Sequence, residues 1–229
     1  MQTHIVSAFE DELNGLAQKI SKMGGLAEDQ LAMAMKALET NDHKLAKTAI
    51  ASDKQIDRLE LEIEEEAILM IAKRQPMALD LRRIIVTIRI SSDLERIGDL
   101  AKNIAKRVIA IEGKTPKSLV SGFHAMSELA QKALKDVLDA FSAEDVDKAV
   151  NVWENDKDLD ALYNSIFAEI LETMKENSDN IDFCTHLQFG AKNIERIGDH
   201  ATNISENIYY MVRGELLDED RPKTDLIKA

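Results

Sequence analysis

The residues of this chain best suited to chemistry are carboxylates spaced four apart. Glu95 and Asp99 stand in Leu94-Glu95-Arg96-Ile97-Gly98-Asp99-Leu100-Ala101-Lys102-Asn103-Ile104, and Glu195 and Asp199 in Ile194-Glu195-Arg196-Ile197-Gly198-Asp199-His200-Ala201-Thr202-Asn203-Ile204. Eight of these eleven positions agree, so the chain reads as a duplication whose halves kept one surface feature. On a helix, residues four apart are neighbours, and like charges there cost about 0.2–0.5 kcal/mol unless a cation lies between them. A further acidic row, Asp53, Asp57, Glu60 and Glu64, comes earlier, and Asp156 and Asp160 repeat its first two members. If the segments bearing these rows are adjacent helices, two carboxylates from each converge on one surface site per half. Asn103 and Asn203 stand one turn on as amide partners. The expected metal ligands are therefore Asp53, Asp57, Glu95 and Asp99, with Asp156, Asp160, Glu195 and Asp199 as their twins. Oxygen-only donors suit Mg²⁺, Mn²⁺, Ca²⁺ or iron, whereas a structural Zn²⁺ wants Cys or His. On a chain that is 31% charged most acidic residues are solvated; recurrence in both halves at a repulsive spacing favours the metal reading here.

Long helices must position these groups. Only three prolines and nine glycines occur, and aromatics make up 4% of the residues, which leaves little material for strands or hairpin turns. The expected fold is all-α. Breakers divide the chain into six stretches, about 5–39, 43–73, 78–111, 117–140, 144–176 and 181–213. The breaks are Thr40-Asn41-Asp42, Gln75-Pro76, Gly113-Lys114-Thr115-Pro116, Ser142 to Asp145 with capping-box form, and Asn177 to Asn180. Gly24-Gly25 marks a point where the first helix is expected to kink. The duplication extends to Ser52–Leu59, which aligns with Asn155–Leu162 at an offset of 103 residues rather than 100. A three-residue difference in one connection reconciles the two. The organisation is then two tandem three-helix bundles, residues 1–112 and 117–213, followed by a polar, frayed tail at 214–229.

Helical periodicity also orients the acids. Ile90, Leu94, Ile97, Ala101, Ile104, Val108 and Ile111 fall within about 60° of one another, and Glu95 and Asp99 lie about 160° away. That opposite face carries Leu81, Ile84, Ile85 and Ile88 near its start and becomes polar from Ser92 onward. The acidic pair is thus expected where a second contact surface gives way to solvent. Ile194, Ile197, Ala201, Ile204 and Ile208 repeat the stripe in the second half.

Bulk properties exclude several functions. A net charge of −13 repels nucleic acid and anionic lipid. The single cysteine, Cys184, cannot form an internal disulfide, which fits a reducing compartment. Met1 to Glu12 lacks a basic region followed by an apolar stretch, and no run approaches the ~20 apolar residues that span a bilayer. A cytoplasmic protein without membrane insertion is expected. Gly113-Lys114-Thr115 follows a helix rather than a strand and reads as a linker, not a phosphate loop. None of the five histidines completes a Glu-x-x-His pair, and His200 borders the apolar stripe as a packed or rim residue. Cys184, with only His186 on its helix as a base, is a poor nucleophile. Arg74, Arg82, Arg83 and Arg89 form the densest basic patch, expected to pair with the acidic second helix or to grip a partner protein. Gly98 and Gly198 cost about 1 kcal/mol each against alanine in mid-helix, which points to close helix approach or metal access.

Glu-Arg-Ile-Gly-Asp once per half, Ala72-Lys73-Arg74-Gln75-Pro76 ahead of Asp80-Leu81-Arg82, and Met23-Gly24-Gly25 resemble the PhoU family over essentially the whole chain. The resemblance implies two three-helix bundles, a frequent homodimer and a cytoplasmic negative regulator of the phosphate-starvation regulon. It implies the phosphate-specific ABC transporter, through its ATP-binding subunit, and the phosphate sensor histidine kinase as partners. It also implies iron, or manganese and magnesium, on paired acidic motifs, which here match the eight carboxylates named above. With no constellation of nucleophile, base and oxyanion donors, the expectation is a non-enzymatic adaptor. The alternative is a metal-cluster phosphoester hydrolase.

Overall fold

A computed structural model describes residues 2–111 and 117–217. Six α-helices account for nearly all of them: α1 Gln2–Thr40, α2 His43–Arg74, α3 Leu79–Ala110, α4 Lys117–Ala143, α5 Val146–Glu176 and α6 Ile181–Arg213, with a short 3₁₀ turn at Ser178–Asn180. No strand occurs among the described residues. The Gly113–Pro116 linker and residues 218–229 of the expected polar tail lie outside them.

Local chemistry sets the helix ends. Asp42 has an extended backbone and its Oδ1 accepts from the backbone N–H groups of Lys44 and Leu45, at 2.9 and 3.0 Å, satisfying two donors that α2 leaves without intrahelical partners. Asp42→Ala is expected to cost about 1 kcal/mol, a fall of about 2–4 °C in Tm for a protein of this size, readable by thermal denaturation. Gln75 ends α2 in the left-handed conformation (φ 49°), its N–H donating to Ile71 O at 3.0 Å, and Pro76 cannot extend the helix. Between α4 and α5 the cap is Asp145, whose Oδ1 accepts from Lys148 N at 2.9 Å. Ser142 instead turns its hydroxyl back to Leu138 O in its own helix, so the expected capping box does not form and α5 starts at Val146.

Helices α1, α2 and α3 pack on one another, as do α4, α5 and α6, giving two three-helix bundles. The apolar stripe of α3 is buried along its whole length, from Ile90 and Leu94 through Ile97, Ala101 and Ile104 to Val108, and the corresponding positions of α6 are buried as well. Burial of each large aliphatic side chain contributes roughly 1.5–3 kcal/mol. These stripes meet Leu16, Ile20 and Leu31 of α1 with Ile56 and Ile63 of α2 in one half, and Phe123 and Leu134 of α4 with Leu159 and Ile166 of α5 in the other.

The halves join through α3 against α6 and α1 against α4. Both contacts are antiparallel. Arg82 near the start of α3 donates to Tyr210 O at 3.3 Å, Asp93 meets His200 at 2.9 Å and Asn203 at 3.3 Å, and Arg107 near its end lies over the Phe189 ring at 4.6 Å. His200 is therefore a buried-rim residue pinning one bundle to the other. In α1, the helix runs unbroken through Gly24-Gly25. A Cβ on Gly24 would stand 2.5 Å from Leu138 Cδ2 of α4, so this glycine admits a neighbouring helix.

Candidate functional site

Each half brings its two acidic rows together, α2 beside α3 and α5 beside α6. Glycines make this approach close. A Cβ on Gly98 would lie 3.0 Å from Ile56 Cδ1 and 3.1 Å from Gln30 Oε1; one on Gly198 would lie 2.5 Å from Leu159 Cδ2 and 2.8 Å from Asp156 Oδ1. The helix carrying each glycine can therefore press against its neighbour directly where the acids stand.

That approach buries part of the expected surface site. Asp53 is 4% exposed, Asp156 8% and Glu195 7%, while Asp57, Glu95 and Asp99 are half-buried. At Asp53 the departure from a solvent-facing site has a visible cause: periodicity places it at the edge of the α2 stripe, and α1 then covers that edge. Gln30 of α1, fully buried, donates from Nε2 to Asp53 Oδ1 at 3.2 Å and to Ala49 O at 3.1 Å. Its Oε1 has no hydrogen-bond partner.

Lysines enter both clusters. Lys102 Nζ bridges the helices, bonding Asp53 Oδ2 of α2 and lying 2.5 Å from Asp99 Oδ1 of α3. Burial by itself would lower the Lys102 ammonium, but its bonds to Asp53 and Asp99 outweigh that and hold it well above the ordinary lysine range. In the second cluster Lys192 Nζ lies 2.6 Å from Glu195 Oε2, one turn along the same helix, and 5.2 Å from the Tyr163 ring centre. Arg96 lies 3.6 Å from Glu95, but is largely exposed.

Glu95, Asp57, Glu60 and Glu195 resist ionisation. Burial, then the charges of Asp99 and Glu60, push the Glu95 carboxyl up. Burial and Asp53 do the same to Asp57, and burial and Glu64 to Glu60. Burial outweighs the bond to Lys192 at Glu195, with Asp199 and Asp160 adding to the rise. A carboxyl raised above its unfolded value lets the folded state hold more protons in that window, so stability falls as pH rises through the folded value and is spared below the unfolded one. Asp57→Asn is accordingly expected to raise Tm relative to the parent at pH 7 without added cation, and to give no gain at about pH 3. An equal effect at both values would mean that Asp57 carries no charge penalty.

Among the described residues no three His, Cys, Asp or Glu side chains are already gathered tightly enough to enclose an ion. In the first cluster an ammonium stands between Asp53 and Asp99. The donors nonetheless fit a hard divalent cation in kind: carboxylate oxygens held together against their own repulsion, with a buried amide oxygen on Gln30 lacking a partner.

A family model described as "PhoU domain" matches residues 20–108 and again 123–208, one match in each bundle. The chain belongs to the PhoU family. The "phosphate-specific transport system accessory protein PhoU homolog" of Rhizobium meliloti is 52% identical over 224 residues, covering 97% of this chain and 94% of that protein. The Escherichia coli K12 protein of the same description, there "PhoU", is 36% identical over 94% of this chain and 89% of its own. The crystal structure of PhoU from Pseudomonas aeruginosa superposes with a TM-score of 0.87 at 37% identity, over 90% of this chain and all of that one. The matched segments hold all eight expected metal ligands, so in this PhoU-family chain both acidic sites lie inside the repeated unit.

The basic patch is engaged within the fold, and not with α2 acids as expected. Arg74 forms two bonds to Glu12 of α1, at 2.8 and 3.0 Å. Arg83 pairs with Glu144 at the α4–α5 turn, and Arg82 and Arg89 lie over the Tyr210 ring at 5.7 and 5.9 Å. Cys184 is buried, and burial pushes its thiol up. His186 approaches Arg107 rather than any nucleophile. Gln30, Lys102 and Lys192 are the site residues that sequence reasoning missed. Lys102 carried a readable signal, three residues after Asp99, while Gln30 sits in no motif.

Proposed function

We propose that this chain is a cytoplasmic, non-enzymatic adaptor that restrains the phosphate-starvation regulon. It binds the sensor histidine kinase of the phosphate system and the ATP-binding subunit of the phosphate ABC transporter, and acts as a homodimer. When phosphate is plentiful it holds the kinase in its phosphatase-favouring state, through a difference in affinity for the kinase's two states. Similarity over nearly the whole chain to accessory proteins of phosphate-specific transport carries this reading. No helix among the described residues is long and apolar enough to cross a membrane, in keeping with a partner that docks from solution.

Docking has surface to use. Met77, Leu79 and Leu81 at the tip between α2 and α3, with Ile68 and Leu69 earlier on α2, are exposed apolar side chains, and Arg74, Arg82 and Arg83 flank that tip in the sequence. We place partner contact there because apolar anchors next to arginine make strong interface centres. Pull-down of the kinase and the ATP-binding subunit, lost on substituting the arginine patch or the acidic faces, is the expected result. Unchanged repression of the regulon in a deletion strain would sink the reading.

The acidic clusters are proposed to take divalent or iron-type cations: Asp53, Asp57, Glu95 and Asp99 in one half, and Asp156, Asp160, Glu195 and Asp199 in the other. A bound cation would supply charge neutralisation between α2 and α3, or α5 and α6, and so fix the spacing of helices that also form the partner surface. Mn²⁺ at about a hundred times its Kd is expected to raise Tm at pH 7 by about 5–10 °C, following from ~2.7 kcal/mol of linked binding energy. The gain should disappear on replacing all eight acids by amides.

A further inference from the structure

We propose that the α2–α3 tip of one copy of this chain seats on the α5–α6 tip of a second copy, a head-to-tail contact built from matched apolar side chains and opposite charge. The inference goes beyond the adaptor reading and needs no kinase, transporter or metal ion. Aligned by the offsets of the duplication, 103 residues between α2 and α5 and 100 between α3 and α6, the two tips keep apolar positions in common. Ile68 corresponds to Leu171 and Leu81 to Ile181, and all four are exposed. Apolar side chains scattered singly on a surface need no partner. The same exposed positions kept in both halves, and joined in the first by Leu69, Met77 and Leu79 of the same segment, mark a surface that something covers.

Charge at the same tips is inverted. Lys73 of the first corresponds to Glu176 of the second, and Arg82 to Asp182. Residues 68–83 hold four basic side chains and one acid, Asp80, whereas residues 171–183 hold four acids and one base, Lys175. Glu64, Glu65 and Glu66 stand about two turns or more back from Lys73 along α2. Part of the tip charge is used inside the chain: Arg74 pairs with Glu12, Arg83 with Glu144, and Glu172 with Lys175. Among the described residues no acid forms an ion pair with Lys73 or Arg82, and no base forms one with Glu176, Asp179 or Asp182.

Geometry makes the contact intermolecular. Helices α3 and α6 run antiparallel, with Arg82 at the start of α3 against Tyr210 near the end of α6, so the start of α6 lies at the other end of the molecule. The 32 residues of α3, about 48 Å of helix, separate the two tips. One chain cannot bring its own tips together. On a molecule of net charge −13, copies repel one another wherever acidic surfaces meet. The basic tip is the place where an acidic tip can approach, and burial of the apolar side chains then holds the pair. The contact is heterologous: in a pair, each copy offers one tip and keeps the other free. Because kinase and transporter contact is placed on the same α2–α3 tip, a docked partner and a second copy exclude one another there.

Sedimentation velocity of the full chain at rising concentration tests this, with circular dichroism to check the fold. The parent is expected to associate as concentration rises. Lys73→Glu/Arg82→Glu makes the first tip acidic and Glu176→Lys/Asp182→Lys makes the second basic, and each double variant should weaken association by about tenfold or more. Lys73→Glu alone, which leaves the bond from Arg82 to Tyr210 in place, should give a smaller loss in the same direction. Mixed together, the two double variants are expected to recover association, because the acidified tip of one now meets the basic tip of the other. The mixture should stop at a pair, because the tips left over repel. Association that neither double variant weakens, or a mixture as weak as its parts, would overturn the proposal while leaving a homodimer through another face, and the adaptor reading, standing. A monomer at every concentration would remove both the contact and the homodimer.

Discussion

Lys102→Met lowers the unfolding free energy at pH 7, without divalent cations, by about 3 kcal/mol, because it leaves the buried Asp53 carboxylate without its ammonium. The size lies at the low end for a broken buried pair, since Lys102 retains some contact with water. Gln30 Nε2 remains as a neutral donor to Asp53 and offsets only part of the loss. Asp53→Asn/Lys102→Met removes the charge together with its partner and is expected to recover about 2 kcal/mol, a coupling readable by a double-mutant cycle in urea. A single-variant loss below about 0.5 kcal/mol would show that the bridge is no stronger than a surface ion pair.

Gly198→Leu is expected to cost about 3 kcal/mol or more, since even the first carbon of a side chain there would stand 2.5 Å from Leu159 Cδ2 and 2.8 Å from Asp156 Oδ1. Leu159 is itself buried, so its side chain must shift to make room. Gly198→Ala is milder: overpacking of about 1–3 kcal/mol is partly offset by the ~1 kcal/mol that alanine gains over glycine in a helix. Gly98→Ala meets its neighbours only at 3.0 and 3.1 Å, so gain and clash nearly cancel there. Adding Leu159→Ala to Gly198→Ala should relieve the clash and recover stability relative to the sum of the two single losses. Equal losses at Gly98 and Gly198 in thermal or urea denaturation would contradict this ordering.

The two substitutions probe one feature from opposite sides. Glycine lets the α2–α3 and α5–α6 pairs close, and the closeness then drives carboxylates together and under cover. Raised carboxyls at Glu95, Asp57 and Glu195 are the electrostatic consequence. At Asp53 and Asp99 the Lys102 ammonium relieves it.

Much of this was legible in the residues alone. Helix number, the boundaries near Asp42, Pro76 and Ile181, the buried stripes of α3 and α6 and the twofold acidic repeat all follow from local rules: 3.6-residue periodicity, caps and breakers, and identity at a fixed offset. Such rules fix where a side chain lies around its own helix axis. They do not fix how near the next helix comes or which third helix covers the seam. Burial of Asp53 under Gln30, the reach of Lys102 across to α2, the docking of Arg82 and Arg89 on Tyr210 and the approach of α4 to Gly24 each depend on contacts between residues from 23 to 128 positions apart. Whether an acid faces water or a lysine is settled by interhelical distance, and that distance emerges only when whole apolar faces pack at once.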